Sequence, residues 1–250
     1  MADAGSTMQQ GGYDHLEPEP VLRTAKRLEQ RIEARHGERN LVRVARELIE
    51  IITSVSQGSE QTQRRLRMAR LLSQALIVVV IVAAVVALAF ALKDAFDQNR
   101  VENSFDWLGL AETTVNDLVF VAIAVFFLYS VPDRIQRGNS LAMLHRLRSL
   151  AHVIDMHQLD KDPERLRSTY QETEVSLKVG LNRTQMESYL NYCSELLSLV
   201  GKAAALCAEE SQDSVVLETV STIETLTLGM SRKIWQKISI LNEVRRSAAG

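Results

Sequence analysis

From Leu71 to Leu92 the chain reads LLSQALIVVVIVAAVVALAFAL, 22 residues without a charge. Wound as an α-helix at 1.5 Å per residue, that run is about 33 Å long, enough to cross the hydrocarbon core of a bilayer. Everything else in the chain has to be arranged around it. The averages conceal this: 46% hydrophobic and 24% charged residues, with 29 Lys+Arg against 31 Asp+Glu, would suit an ordinary soluble domain. They do exclude some classes. A net charge of -2 argues against a generally basic nucleic-acid binder, and two cysteines make no disulfide framework.

A second span is shorter. The uncharged run LVFVAIAVFFLYSV, Leu118 to Val131, covers only 14 residues, about 21 Å of helix. To cross a core of about 30 Å it must reach back to Leu110, drawing Glu112, Asn116 and Asp117 into its first turns. The expected membrane helices are therefore 71–92 and 110–131.

Basic residues near span ends stay on the cytoplasmic side. Arg64, Arg65, Arg67 and Arg70 precede the first span, and Arg134, Arg137, Arg146 and Arg148 follow the second. Lys93 to Asp117 holds two basic residues and six acids. This predicts a multi-pass protein of the inner (plasma) membrane, with both termini cytoplasmic and an external acidic loop at 93–109. Cys193 and Cys207 then lie in a reducing compartment and are expected as free thiols. Residues 1–20 mix Gly, Ser, Gln and acids without an apolar period, so a disordered tail is expected there, with no leader signature.

The cytoplasmic stretches, 21–70 and 132–250, carry helical periodicity. Apolar residues recur at steps of three or four through Leu22, Ala25, Leu28 and Ile32, then Leu41, Val44, Leu48, Ile52 and Val55, with Gly37 at the break. Leu144, Leu147, Ala151 and Ile154 prolong the second membrane helix past Pro132. Thr184-Gln-Met-Glu187 has the form of a capping box. After it, Met186, Leu190, Cys193, Leu197, Val200, Ala204 and Cys207 alternate steps of four and three, a heptad seam. A polar break at Glu209 to Ser214 separates it from a second seam: Val216, Val220, Ile223, Thr227, Met230, Ile234, Ile238 and Leu241. Two such helices joined so briefly predict an antiparallel coiled-coil hairpin within a helical bundle. Leu190, Cys193, Leu197, Val200, Ile223, Met230 and Ile234 are its expected interhelical core. Periodicity does not decide whether the stripes close within one chain or between copies.

The stretches LRSLAHVIDMHQLDKDP (Leu147 to Pro163), YLNYCSELLSLVGKAAA (Tyr189 to Ala205) and SRKIWQKISIL (Ser231 to Leu241) resemble an uncharacterised family of bacterial two-span membrane proteins with a cytoplasmic helical C-terminal domain. The resemblance implies a bacterial source and the two-span layout. It carries no activity and no site residues.

Signatures of catalysis are missing: the chain has no H-E-x-x-H, G-x-S-x-G, C-x-x-C or phosphate-loop motif. Gly201-Lys202 lacks the Gly and Ser/Thr that a phosphate loop needs, since Leu196 and Ala203 stand there, and Gly201 is better read as a point of close helix packing. His145, His152 and His157, with Asp155 and Asp160, could suggest a metal ion. Ligands seven residues apart on one helix are about 10 Å apart, however, so a polar face is the better expectation. Asp162-Pro163 suits a helix N-cap followed by its first residue. Cys193 and Cys207, 14 residues apart, are about 21 Å apart on one helix and cannot bond each other. Asp117 is the most pointed feature, a carboxylate with no cation at its depth, expected as a helix-end acid favoured by the macrodipole and bonded by Asn116 or a neighbouring helix, with a ring of carboxylates at the mouth of a cation pathway as the alternative. Asp117 and Glu112 are the candidate ion-pathway residues.

The sequence thus predicts an all-α protein with two transmembrane helices and a cytoplasmic helical bundle. It is expected to be a non-enzymatic scaffold or regulator that self-associates, binds an unknown cytoplasmic protein, sits in the lipid bilayer and uses no cofactor, metal or nucleic acid. The alternative is a small homo-oligomeric cation channel or transporter with an outer carboxylate ring.

Overall fold

The computed structural model describes residues 15–37, 40–97, 106–166, 170–171, 173–174, 180–209 and 211–247. Among them there is no strand. Five α-helices, α1 (Pro18–His36), α2 (Asn40–Asp97), α3 (Asp106–Leu159), α4 (Arg183–Ala208) and α5 (Ser214–Ser247), are joined by loops and one 3-10 turn, Pro163–Leu166. The protein is all-α, as its periodicity predicts.

Helix ends follow local chemistry. Proline stands within the first turn of α1, where a missing N–H costs nothing. The helix therefore starts inside the stretch expected as a tail, and Leu16 packs on the core. At its other end Gly37 adopts φ 65°, the left-handed region glycine favours, and its N–H reaches Glu33 O at 2.8 Å. Asp213 caps α5, accepting from Val215 N at 2.9 Å and Val216 N at 3.1 Å. Asp162 accepts from Glu164 N at 3.1 Å, but it opens only the 3-10 turn.

The cap of α4 lies two residues before the expected one. Asn182, not Thr184, accepts from Gln185 N at 2.9 Å, and the Gln185 side chain accepts from Asn182 N at 3.0 Å. Both positions satisfy the four-residue pattern. What distinguishes them is the apolar pair that brackets a cap: Leu181 and Met186 flank the Asn182 box and are both buried, whereas Arg183 and Ser188 would flank the other.

The chain divides into two compact units, one from residues in Met1–Gly58 and Ser140–Gly250, the other Ser59–Asn139. In the first, one hydrophobic core draws on all five helices, with α2 contributing Leu41 to Ile52 and α3 contributing Leu144 to Ile154. Among the described side chains of α5, the eight seam positions from Val216 to Leu241 are the buried ones. Helix α4 differs from the expected two-helix seam. Its seam residues are buried except Cys207, which is half-buried, but so are Tyr189, Tyr192, Leu196, Leu199, Ala203 and Leu206. It is a central helix covered on several sides, packed against α5 and α1. The stripes close within one chain. Gly201 belongs to that packing, since a Cβ there would lie 3.4 Å from Thr227 Oγ1 of α5.

In the second unit, α2 and α3 run antiparallel. The Ser73 hydroxyl donates to Leu128 O, a bond about equally far along the chain from the end of α2 at Asp97 and the start of α3 at Asp106. On α2 the covered positions are Leu66, Ala69, Ser73, Ile77, Val80 and Ala84, again at steps of three and four, which marks the face turned to α3. Elsewhere the apolar side chains are bare: Leu72 and Tyr129 are 73% exposed and Phe120 66%. Both helices contain windows long and apolar enough to cross a membrane, and neither window is buried at all. A soluble protein's core helix would be covered. The expected external loop is partly helical, since α2 continues to Asp97 and α3 begins at Asp106. Residues 98–105 lie outside the described residues.

Candidate functional site

The helical unit has one side where α1, α4 and α5 leave a cleft of about 420 Å³. Its first wall comes from the end of α1, where Arg31 and Arg35 lie one turn apart and point the same way. The floor is the polar line of α4, Ser188, Asn191, Ser194, Glu195 and Ser198, the one face of that helix not given to the core. Trp235 of α5 forms the far wall.

A chain of contacts fixes this geometry. His36, buried at the last turn of α1, shares a 3.2 Å hydrogen bond between its Nε2 and Ser188 Oγ. Its ring meets Tyr189 and Tyr192 edge-on, with centroids 5.6 and 5.8 Å away. One turn back, Arg31 lies 5.3 Å over the Tyr192 ring and grips Glu195 through both terminal nitrogens, at 2.8 and 3.3 Å. With both partners well exposed, that pair adds little stability but sets direction. Arg46 ties α2 to α1 through Glu29 at 2.8 Å and Glu33 at 3.2 Å.

Chemically the cleft suits recognition. Glu195 balances Arg31, so Arg35 leaves it positive, and Arg232 lines the neighbouring hollow that shares Trp235. Trp235 is 58% exposed and also borders a shallower hollow with Gln236, Ser239 and Ile240. A large exposed aromatic amid arginines is the composition of an interface hot spot. The Ser188 hydroxyl that meets His36 Nε2 also donates to Gln185 O at 3.0 Å.

At the end of α3 lies a second polar group. Lys237 Nζ donates to Gln158 O at 2.6 Å, satisfying a terminal carbonyl of α3. Burial pulls the Lys237 pKa below its usual range, against the opposing pull of Asp162, Asp155, Cys193 and Asp160. Gln158 is almost wholly buried, and its Nε2 donates to Asp155 Oδ1 at 2.8 Å. His157 is also lowered, by burial first and then by Lys161.

The predicted residues are distributed as follows. Leu190, Cys193, Leu197, Val200, Ile223, Met230 and Ile234 all lie in the core. Burial pushes the thiols of Cys193 and Cys207 up to about 12, and both are free. His145 and His152 are exposed, and among the described residues no group of three His, Cys, Asp or Glu is placed to hold a metal ion. Asp117 and Glu112 are exposed on α3. Stepping eleven residues from the Ser73–Leu128 bond along each helix brings Asp117 level with Ala84, about 12 Å inside Leu92. Glu112 falls level with Ala89, about 6 Å short of Lys93.

Trp235 and the Arg31–Glu195 pair carry no sequence motif. The signal that could have found the cleft is the polar line Ser188, Asn191, Ser194, Glu195, Ser198 on an otherwise apolar helix. No family model matches the chain, and no curated protein or solved structure is significantly similar to it.

Proposed function

We propose that this protein is a non-enzymatic membrane anchor for a cytoplasmic helical bundle that binds other proteins, as a scaffold or regulator. Its two spans sit in the inner membrane of a bacterial cell, with both termini cytoplasmic. The observation that carries the reading is the contrast in the chain's apolar surface: the bundle covers its own core, and the two long helices leave theirs bare. With the bundle's stripes closed inside one chain, binding falls to the surface that remains, and the cleft at Trp235 has the aromatic anchor and polar rim that interfaces use. A partner helix laid across α1 and α5 would place an apolar residue against Trp235 and a carboxylate near Arg35. A second copy of the chain is one such partner.

The test is a photo-crosslinking amino acid at position 235, compared in intact membranes with one at Glu218, an exposed site on α5 that does not line the cleft. Discrete adducts at 235 alone support the reading, and their mass separates self-association from another protein. Equal patterns at both sites contradict it.

The alternative, a homo-oligomeric cation channel, draws its support from one feature, the depth of Asp117, level with Ala84. Cation flux in vesicles, lost in Asp117→Asn at unchanged oligomer mass, would establish it in place of the first.

A further inference from the structure

An α-helix bonds each carbonyl to the N–H four residues further on, and for Leu128 O that place is held by Pro132, inside α3, which has no N–H to give. A proline leaves such a carbonyl free and its ring crowds it. Leu128 O is nevertheless bonded, because the Ser73 hydroxyl of α2 donates to it. Burial singles out the same two residues. Among the described side chains of the Ser59–Asn139 unit, only Ser73 and Pro132 are buried. Each stands on the covered stripe of its helix, Ser73 between Ala69 and Ile77 on α2, and Pro132 after Val121, Val125 and Leu128 on α3. A serine in an apolar helix ordinarily bonds the carbonyl four residues back on its own helix. Ser130 does so, donating to Phe126 O at 2.8 Å. Ser73 has the same recourse in Ala69 O and crosses to α3 instead.

We infer that Ser73 and Pro132 form a latch, in which a hydroxyl of one span fills the hydrogen-bond gap that proline opens in the other and holds α3 at its hinge. The latch has two states. Closed, Ser73 bonds Leu128 O; open, it turns back to Ala69 O and Leu128 O loses its donor. Hydrocarbon offers no replacement, so the closed state is favoured there. A water molecule or a polar side chain that reached Leu128 O would release the latch, so wetting between the two helices controls how far α3 can bend at Pro132. The inference rests on the membrane reading above, because bulk water would supply the missing donor in either state.

The experiment uses the full chain with Cys193 and Cys207 replaced by alanine, spin-labelled at Val86 on α2 and Asn139 on α3, both exposed, and reconstituted in phosphatidylcholine vesicles. The width of the label-to-label distance distribution reads the hinge. One narrow distribution is expected with Ser73 in place, its loss in Ser73→Ala, and its retention in Ser73→Thr, which keeps the hydroxyl. Pro132→Ala decides the cause. It restores an N–H at position 132 for Leu128 O, so in that background Ser73→Ala should leave the distribution narrow. A narrow distribution in Ser73→Ala with the proline present overturns the latch. Equal broadening with and without the proline overturns it too, since Ser73 would then act by packing alone. Melting of the bundle is expected to be the same in every variant, which shows that the chain is folded. Alkaline extraction separates the two failures: a chain that stays in the bilayer and ignores Ser73→Ala removes this inference alone, whereas one released as soluble protein removes the membrane reading as well.

Discussion

Val79 on α2 and Leu228 on α5 are both aliphatic and both bare, 60% and 54% exposed. Their surroundings differ. Leu228 is an isolated apolar residue on the outer side of a helix whose eight-position stripe is buried, and scattered cases of that kind are normal for a protein surface in water. Val79 stands in a surface where nearly every side chain is apolar and bare, which water would not tolerate. Hydrophobicity alone therefore does not place a residue. What separates the two units is whether the apolar positions are spaced to leave a polar face. In α5 they are spaced, so the helix buries a stripe; between Leu71 and Leu92 they are continuous, so the face away from α3 stays apolar and bare.

The strongest way to break this comparison is to place the same charge in both units. Leu197→Asp leaves a lone carboxylate in a fully buried position of α4 and should cost the bundle several kcal/mol, a large part of a stability of about 5 to 15. Ser194→Asp, on the polar line, should shift the melting temperature little. Equal melting of the two variants would remove the central-helix assignment.

Val79→Asp should act elsewhere. At a bare position of a soluble protein a charge is nearly silent, but at the middle of a span it costs about 2 to 3 kcal/mol of insertion. The fraction of the chain resisting alkaline extraction should fall while bundle melting stays constant. An unchanged membrane fraction would place Val79 in water.

A smaller effect follows from the core thiols. The ordinary value is 9.0 and the folded one about 12 for both Cys193 and Cys207. The folded pKa is raised, so the protonated thiol's contribution is whole below pH 9 and lost as pH rises toward 12. Each thiol removes up to about 1.4 kcal/mol per pH unit in that window. Lys237, lowered below its ordinary 10.5, has the opposite sign and offsets part of the fall. Melting should drop between pH 9 and 11, and Cys193→Ala with Cys207→Ala should flatten the drop.

The smallest change is expected from Asp117→Asn. The amide keeps the shape and removes a carboxylate's desolvation cost, so stability in detergent should be unchanged or rise by less than about 1 kcal/mol. Flux measured across reconstituted vesicles should not differ from the wild type.

The sequence carried these two units unequally. Leu71 to Leu92 is legible because 22 uncharged residues in a row carry no turn signal, and the helix there is long and apolar enough to cross a membrane. The stripe of α5 is legible because a one-sided helix has one period, and every seam position is buried. Helix α4 was only half legible. A helix covered on several sides has no single period, and alternating fours and threes pick out Leu190, Cys193 and Leu197 while passing over Tyr189, Tyr192 and Leu196. The cleft was hidden for another reason: Arg31, Glu195 and Trp235 come from three helices and meet only through packing. Depth along the spans was estimated from length alone, and the Ser73–Leu128 bond sharpens it by fixing which residues are level.

The most direct test is a spin label at position 79 and another at position 228, each in a chain with Cys193 and Cys207 replaced by alanine and reconstituted in lipid. The two sites are alike in exposure, so only the surrounding solvent can distinguish them. Relaxation by oxygen, which concentrates in hydrocarbon, should dominate at 79, and relaxation by a water-soluble nickel chelate should dominate at 228. Nickel relaxation at 79 as strong as at 228 would contradict the account, because the long apolar helices would then stand in water.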